Sequence, residues 1–136
     1  MLAYSKAIDP EIVLYNLLRK TLDCPVYGAV PPKVPETFVQ VTTVTSQPID
    51  NGPLLIASSS TISISSLSDS NVVARDNARK ALVALSEAYD YDKDIDGARI
   101  AFFDVQNLPF RQPNNSVTED KRTYQYDADY RVILSL

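Results

Sequence analysis

Residues 123–134 read TYQYDADYRVIL, and this stretch decides the fold class because polar and apolar side chains alternate along it. The polar positions are Gln125, Asp127, Asp129 and Arg131, and most of the positions between them are apolar or aromatic. A period of two is typical of a β-strand with one buried face. At about 3.3 Å per residue the strand would span about 40 Å, which is longer than most strands. The sequence therefore predicts a sheet whose last strand is unusually long.

The segment before this strand has the composition of a loop. Residues 107–121 are mostly polar and contain Pro109 and Pro113. Because they are predicted to form a loop, Phe110 and Arg111 within them are expected to be exposed. Another strand is predicted upstream at 98–105, after an acidic turn at 92–97.

Farther upstream, a second long helix is predicted at 70–89, capped by residues 68–70. Its apolar stripe is rich in small side chains and consists of Ala74, Ala78, Ala81, Leu82, Leu85 and Ala88. Such a stripe allows the helix to pack closely against a sheet. The strand before it, at 61–67, alternates isoleucine with serine.

The first 60 residues are predicted to hold one helix and one strand. A helix opens at Asp9 and Pro10 and ends near residue 22, and a proline-rich connector covers 25–36. A strand follows at 37–45, and a long loop at 46–60. Three apolar residues lie in the middle of that loop: Leu54, Leu55 and Ile56.

The predicted order is thus helix, strand, strand, helix, strand, strand. It indicates an α+β fold with a four-stranded, largely antiparallel or mixed sheet and two packed helices. The length of 136 residues fits a single domain covering 1–136, with long loops near 46–60 and 107–121.

Composition argues against several classes of function. The formal net charge is −4 and basic residues occur at most in pairs, whereas specific nucleic-acid binding needs a concentrated basic face. Histidine is absent and Cys24 is the only cysteine, which removes the usual general base, the triads and disulfides. No apolar run approaches the roughly 20 residues that span a bilayer, and no signal peptide is recognisable. We expect no membrane partner and synthesis in a reducing cytoplasm.

Three patterns that suggest chemistry have simpler interpretations. Residues 92–97 (DKDIDG) match the first half of a calcium loop, but the bidentate position is Phe103, so we interpret them as a solvated turn. Asp127 and Asp129 share a strand face, with no partner in the sequence that would raise a pKa. Cys24, with no histidine to activate it, is expected to be a small buried or half-buried side chain. We predict no enzyme, no cofactor and no metal site.

Loops beyond about 12 to 15 residues in a compact domain are commonly either functional or disordered. The proline content and the apolar or aromatic residues of the two long loops favour an assembly role over simple disorder. Aromatic and arginine side chains are typical of protein interfaces. The candidate assembly interface comprises loop residues and polar residues of the last strand: Leu54, Leu55, Ile56, Phe110, Arg111, Lys121, Arg122, Asp127, Asp129 and Arg131.

Six segments have a recognisable order along the chain: the capped first helix, the strand VPETFVQV at 34–41, the serine-rich ISIS at 62–65, the alanine-rich helix, NLP at 107–109 with PN at 113–114, and RTY at 122–124. Together they resemble the tail terminator (tail completion, minor tail) proteins of long-tailed phages. The resemblance covers nearly the whole chain as a pattern of elements.

This resemblance implies a structural virion protein at the head-proximal end of the tail. Such proteins form a homo-oligomeric ring, commonly of six subunits, that caps the tail tube, ends its polymerisation and presents a surface to the head–tail connector protein. The tube protein and the connector would be its partners. A head–tail connector or neck protein of the same machine, and a cytosolic adaptor domain unrelated to phages, remain alternatives.

Overall fold

The computed structural model describes residues 9–29, 33, 35–49, 57–112 and 123–135. Two helices and five strands follow in the order α1 (Pro10–Thr21), β1 (Val26–Tyr27), β2 (Phe38–Ile49), β3 (Ala57–Ser68), α2 (Asn71–Asp90), β4 (Arg99–Arg111) and β5 (Tyr124–Ser135). The α+β class and the two helices are confirmed.

The sheet has five strands, so the prediction of four was wrong. The additional strand is β1, which pairs in parallel with β2 through Val26 opposite Val39 and Tyr27 opposite Gln40. It lies inside the segment predicted to be an extended connector. A strand of two residues shows no periodicity, and the neighbouring prolines indicate a loop, so this pairing depends on the tertiary fold.

The sheet is mixed, with the strand order β1-β2-β3-β5-β4. The pairs β2–β3, β3–β5 and β4–β5 are all antiparallel. The last strand in sequence is therefore inserted between β3 and β4, where it has a hydrogen-bonded neighbour on each side. This central position explains why β5 carries the cleanest alternation in the chain.

Both helices cover the same face of the sheet. One core joins the inward residues of α1 and α2 to alternate residues of β2, β3, β4 and β5. The strand residues that face the helices include Val39, Val41, Ile62, Ile64, Ile100, Ala128, Tyr130, Val132 and Leu134, all nearly inaccessible to solvent. Burial of apolar surface stabilises a fold by roughly 25 cal/mol per Å². The core between the helices and the sheet therefore supplies the main driving force for folding.

The small-residue face of α2 permits close contact with the sheet, as predicted. Its five alanines at 74, 78, 81, 84 and 88 are buried. Two polar bonds fix the first turns of the helix: Ser66 Oγ donates to the Ala74 carbonyl at 2.8 Å, and Tyr126 Oη donates to Asn71 Oδ1 at 2.8 Å.

Both helix caps form where the sequence predicts them. Asp9 Oδ1 accepts from the Glu11 amide at 3.0 Å, and Pro10 occupies the first turn of α1. Ser70 Oγ accepts from the Val73 amide at 3.5 Å at the start of α2.

Both predicted loops are shorter than expected because the strands extend into them. β2 continues to Ile49 and β3 begins at Ala57, so much of 46–60 is strand. β4 continues to Arg111, so the prediction of a loop at 107–111 was wrong. Pro48 and Pro109 suggested loops, but proline is tolerated in edge strands. Among the described residues, β4 is an edge strand, and β2 is one beyond the two residues that pair with β1. The remaining parts, 50–56 and 113–122, lie outside the described residues.

Candidate assembly interface

The sheet face opposite the helices, here called the open face, is not covered by any helix or strand that the structure describes. Alternation along β5 directs Gln125, Asp127, Asp129, Arg131 and Ile133 to this face, because the residues between them are buried against the helices. β3 adds a row of short hydroxyl side chains at Thr61, Ser63 and Ser65. The open face is thus polar in its middle.

Three predicted interface residues lie together on the open face. Asp127 accepts from Gln125 Nε2 at 3.0 and 3.2 Å, and Asp129 Oδ2 accepts from Asn107 Nδ2 at 2.8 Å. Arg131 Nε donates to Ser59 Oγ at 3.3 Å. All these partners are neutral. Within the described residues, therefore, neither carboxylate is compensated by an ion pair.

The structure brings a fourth predicted residue to the same surface. Phe110 pairs with Asp127 across β4 and β5, and its side chain is 43% exposed. Arg111 pairs with Tyr126 instead and so belongs to the helix side of the sheet, at its end, where it is also exposed. These two neighbours in sequence therefore point in opposite directions.

The other predicted residues cannot join this group directly. Leu54, Leu55, Ile56, Lys121 and Arg122 lie outside the described residues. Their attachment points are nevertheless fixed. The chain leaves the sheet after Ile49 at one end, where Ala57 pairs with Ser135. It leaves the sheet after Arg111 at the opposite end, where Ser68 pairs with Tyr124. The 12 residues of β3 separate these ends by about 36 Å, at roughly 3.3 Å per residue.

Sequence reasoning missed three further residues of the open face, all on β4. Phe102 pairs with Ile133 and is 40% exposed, Asp104 pairs with Arg131, and Asn107 pairs with Asp129. They were missed because three irregularities in β4 break its alternation. One indication was available in the sequence: the aromatic residue Phe102 lies in the strand predicted at 98–105, which the structure pairs with the well-predicted β5.

The free edges of the sheet are less suited to adding another strand. β4 is interrupted by its three register shifts and contains Pro109. On β2, beyond the short β1 pairing, the Thr43 amide donates to Glu11 Oε1 of α1 at 3.1 Å. Bulges, proline and side chains that occupy edge amides all discourage strand addition. The open face, and not an edge, is therefore the better candidate for a docking surface.

The acidic segment 92–97 forms a turn, as predicted. Its carboxylates have different partners: Asp92 pairs with Arg99 at 3.1 Å, Asp94 Oδ1 accepts from the Gly97 amide at 2.8 Å, and Asp96 pairs with Lys20 at 3.4 Å. Asp92, Asp96 and Gly97 adopt positive φ angles of 50°, 52° and 91°, a conformation that aspartate tolerates better than most residues. The three carboxylates do not converge on one point.

Cys24 is half-buried, which is one of the two states expected for it, and burial is the main cause that raises the pKa of its thiol. Within the described residues, no helix is both long and apolar enough to cross a bilayer.

Comparison with known proteins identifies a similar fold. No family model and no curated protein matches the chain. Among solved structures, a chain from the virion of a native gene transfer agent particle is similar, with a TM-score of 0.51 and 17% sequence identity. The match covers 98% of this chain and 92% of that chain. A second solved structure, 12% identical over 90% of this chain and 89% of its own, has a TM-score of 0.37 and supports no inference.

Proposed function

We propose that this chain is a structural virion protein that caps a tail tube as a homo-oligomeric ring of six subunits. In this proposal the ring ends tube polymerisation and presents a surface for the head–tail connector. The observation that carries it is the likeness, over nearly the full length of both chains, to a chain of a gene transfer agent virion, a phage-like particle. It agrees with the tail terminator resemblance in the sequence.

The placement of the two long connections supports a capping role. A ring that closes a tube needs two different faces, one matching the tube end and one that does not template another tube subunit. Each subunit offers two unlike ends about 36 Å apart, since residues 50–56 connect strands at one end of the sheet and residues 112–123 connect strands at the other. In the proposed ring, one set of connections meets the tube and the other meets the connector.

The residues available for assembly suit contacts between identical subunits. The open face combines exposed aromatic side chains with carboxylates that lack ion-pair partners among the described residues. Aromatic side chains, phenylalanine included, are enriched in protein interfaces, and charges fix the register of an interface. A catalytic role is not part of the proposal.

The decisive experiment deletes the gene in a strain that produces the particles and measures tail lengths by negative-stain electron microscopy. We expect overlong, headless tails, and recovery of normal length when the wild-type gene is supplied in trans. Tails of normal length that fail to join heads would assign the chain to the connector or neck. Normal, complete particles would contradict both the tail-capping role and the connector or neck role, and would favour an adaptor outside the virion.

Ring size is measured on the purified protein. Negative-stain images and mass photometry at high protein concentration, with and without isolated tail tubes, should show closed rings with the mass of six subunits. Open filaments or a stable monomer on tube ends would contradict the ring.

A further inference from the structure

The outer surface of α2 carries a stripe of side chains that the core does not use. Val72, Arg75, Asp76, Arg79 and Val83 recur at helical spacing on the solvent side and are all exposed. Val72 and Val83 are 54% and 52% exposed. Valine is a weak helix former, so two exposed valines on one stripe gain nothing for an isolated helix. We call this set, together with Lys80, the α2 stripe.

The α2 stripe is basic, in contrast to the open face. Arg75, Arg79 and Lys80 outnumber Asp76, and none of the four forms an ion pair among the described residues. On the open face, Asp104, Asp127 and Asp129 outnumber Arg131. The two surfaces lie on opposite sides of the molecule, since the helices cover one face of the sheet and the open face is the other. They cannot meet within one chain.

The two surfaces also match in register. Going along β5 from Ile133, which pairs with Phe102, Arg131 lies at about 7 Å, Asp129 at about 13 Å, and Asp127, which pairs with Phe110, at about 20 Å. Going along α2 from Val72 at about 1.5 Å per residue, Arg75 lies at about 5 Å, Asp76 at about 6 Å, Arg79 and Lys80 at about 11 to 12 Å, and Val83 at about 16 Å. Apolar groups thus end both rows, with opposite charges between them.

From this match we infer that α2 of a second copy of this chain docks on the open face. Val72 lies against Phe102 and Asp76 beside Arg131, with Arg75 on the side of Asp104, which pairs with Arg131. Arg79 and Lys80 lie beside Asp129 and about 8 Å before Asp127. Val83 lies about 4 Å before Phe110. The opposite orientation would set Asp76 beside the carboxylates. Like charges placed together disfavour that orientation.

Such a contact is heterologous, because each subunit uses a different surface toward each neighbour. Heterologous contacts continue from subunit to subunit and produce a ring when the rotation closes. The inference therefore deepens the proposed ring, on which it rests, by naming the surfaces that join its subunits.

The test uses two charge-reversed variants of the full chain. The sheet variant carries Asp127→Lys and Asp129→Lys, and the helix variant carries Arg79→Glu and Lys80→Glu. Each variant alone should remain monomeric in analytical ultracentrifugation at concentrations where the wild type associates. An equimolar mixture should regain association, because every contact in it can join opposite charges again. Asp23→Lys with Asp90→Lys is the control matched to the net charge of the sheet variant, since Asp23 is exposed outside the two surfaces and Asp90 lies about two turns beyond Val83, at the end of α2. It should associate like the wild type.

Orientation is tested by cross-linking in a Cys24→Ser background with a short bis-maleimide. Val72→Cys chains should cross-link to Phe102→Cys chains and not to Phe110→Cys chains, and Val83→Cys chains should show the reverse preference. Circular dichroism verifies that each variant is folded.

The outcomes separate the contact from the ring. If either charge variant associates like the wild type, or if the mixture stays monomeric, the contact is overturned even when rings form. If the contact forms but the particles are open filaments, the contact stands and the ring proposal fails. A wild type that stays monomeric at every concentration and on tube ends overturns both.

Discussion

At the scale of single residues, two tyrosines of β5 show how differently the same hydroxyl can be accommodated. Tyr126 Oη donates to Asn71 Oδ1 at 2.8 Å, whereas Tyr130 Oη is buried and has no partner among the described residues. Both rings lie on the helix side of the sheet, and the Tyr130 ring contacts Phe103 at a centroid distance of 5.4 Å. A buried hydroxyl without a partner costs about 1 to 3 kcal/mol, whereas a formed hydrogen bond contributes about 1 kcal/mol.

The two tyrosines should therefore respond in opposite ways to loss of the hydroxyl. We expect Tyr130→Phe to leave the free energy of unfolding unchanged or to raise it by up to about 1 kcal/mol, and Tyr126→Phe to lower it by about 1 kcal/mol. Urea unfolding of both variants measures the difference. A Tyr130→Phe variant less stable than Tyr126→Phe would show that the Tyr130 hydroxyl has a favourable partner.

Alkaline pH gives a second test of Tyr130. Burial, and to a smaller extent the charge of Asp129, raises the pKa of this phenol far above its usual value. A group whose pKa is raised on folding stabilises the fold fully below its unfolded pKa, about 10 for tyrosine, and that stability is lost as pH rises above it. Wild type should lose more stability between pH 9 and 11 than Tyr130→Phe. Equal losses would contradict this account.

The acidic turn at 92–97 gives a prediction about calcium. Because Asp92, Asp94 and Asp96 are directed to Arg99, the Gly97 amide and Lys20, we expect no calcium binding in calorimetry at micromolar concentration. The melting temperature should not change when a chelator is added. A saturable site that is lost in an Asp94→Ala variant would overturn this interpretation.

At the scale of elements, β4 differs most from what its sequence indicates. It is 13 residues long, but its three register shifts let side chains change faces along its length. Phe103 lies on the helix side, half-buried against Tyr130 and Tyr89, whereas Phe110 lies on the open face. One strand therefore contributes Ile100 and Phe103 to the core, and Phe102, Asp104, Asn107 and Phe110 to the open face.

This division predicts unequal costs of removing the two phenylalanines. Replacing Phe110 and Arg111 together by alanine should change the free energy of unfolding by less than about 1 kcal/mol, because both are exposed. Phe103→Ala in the same strand should cost about 3 kcal/mol through lost core contacts. Thermal melting followed by circular dichroism compares them. If the double variant unfolds as readily as Phe103→Ala, its two side chains belong to the core.

At the scale of the whole molecule, the helix layer and the open face are two unlike surfaces on opposite sides of one sheet. The helix layer exposes a basic stripe, and the open face exposes carboxylates between two phenylalanines. A chain with two unlike, complementary surfaces is suited to head-to-tail assembly.

The exposed valines of α2 separate folding from assembly. Val72→Ala with Val83→Ala should raise the free energy of unfolding of the monomer by up to about 1 kcal/mol, since alanine is the better helix former and both sites are exposed. The same variant should associate more weakly, because the interface loses both apolar ends. Urea unfolding and sedimentation measure the two effects. A variant of unchanged self-association would mean that these valines do not contact another subunit.

Much of the fold follows from local pattern. The alternation of β5, the serine-isoleucine alternation of β3, the alanine stripe of α2 and the caps at Asp9 and Ser70 each depend on residues near in sequence, so periodicity and capping chemistry predict them. The turn at 92–97 belongs to the same class.

Tertiary structure alone decided the rest. The pairing of β1, the insertion of β5 between β3 and β4, and the extension of β4 to Arg111 depend on partners distant in sequence. The candidate surface depends on the same pairings. Asp127 and Asp129 were predicted from β5 alone, but only the register of β4 places Phe110 and Asn107 beside them. A sequence fixes which side chains a strand can present, whereas the neighbour with which it pairs determines the surface that they form.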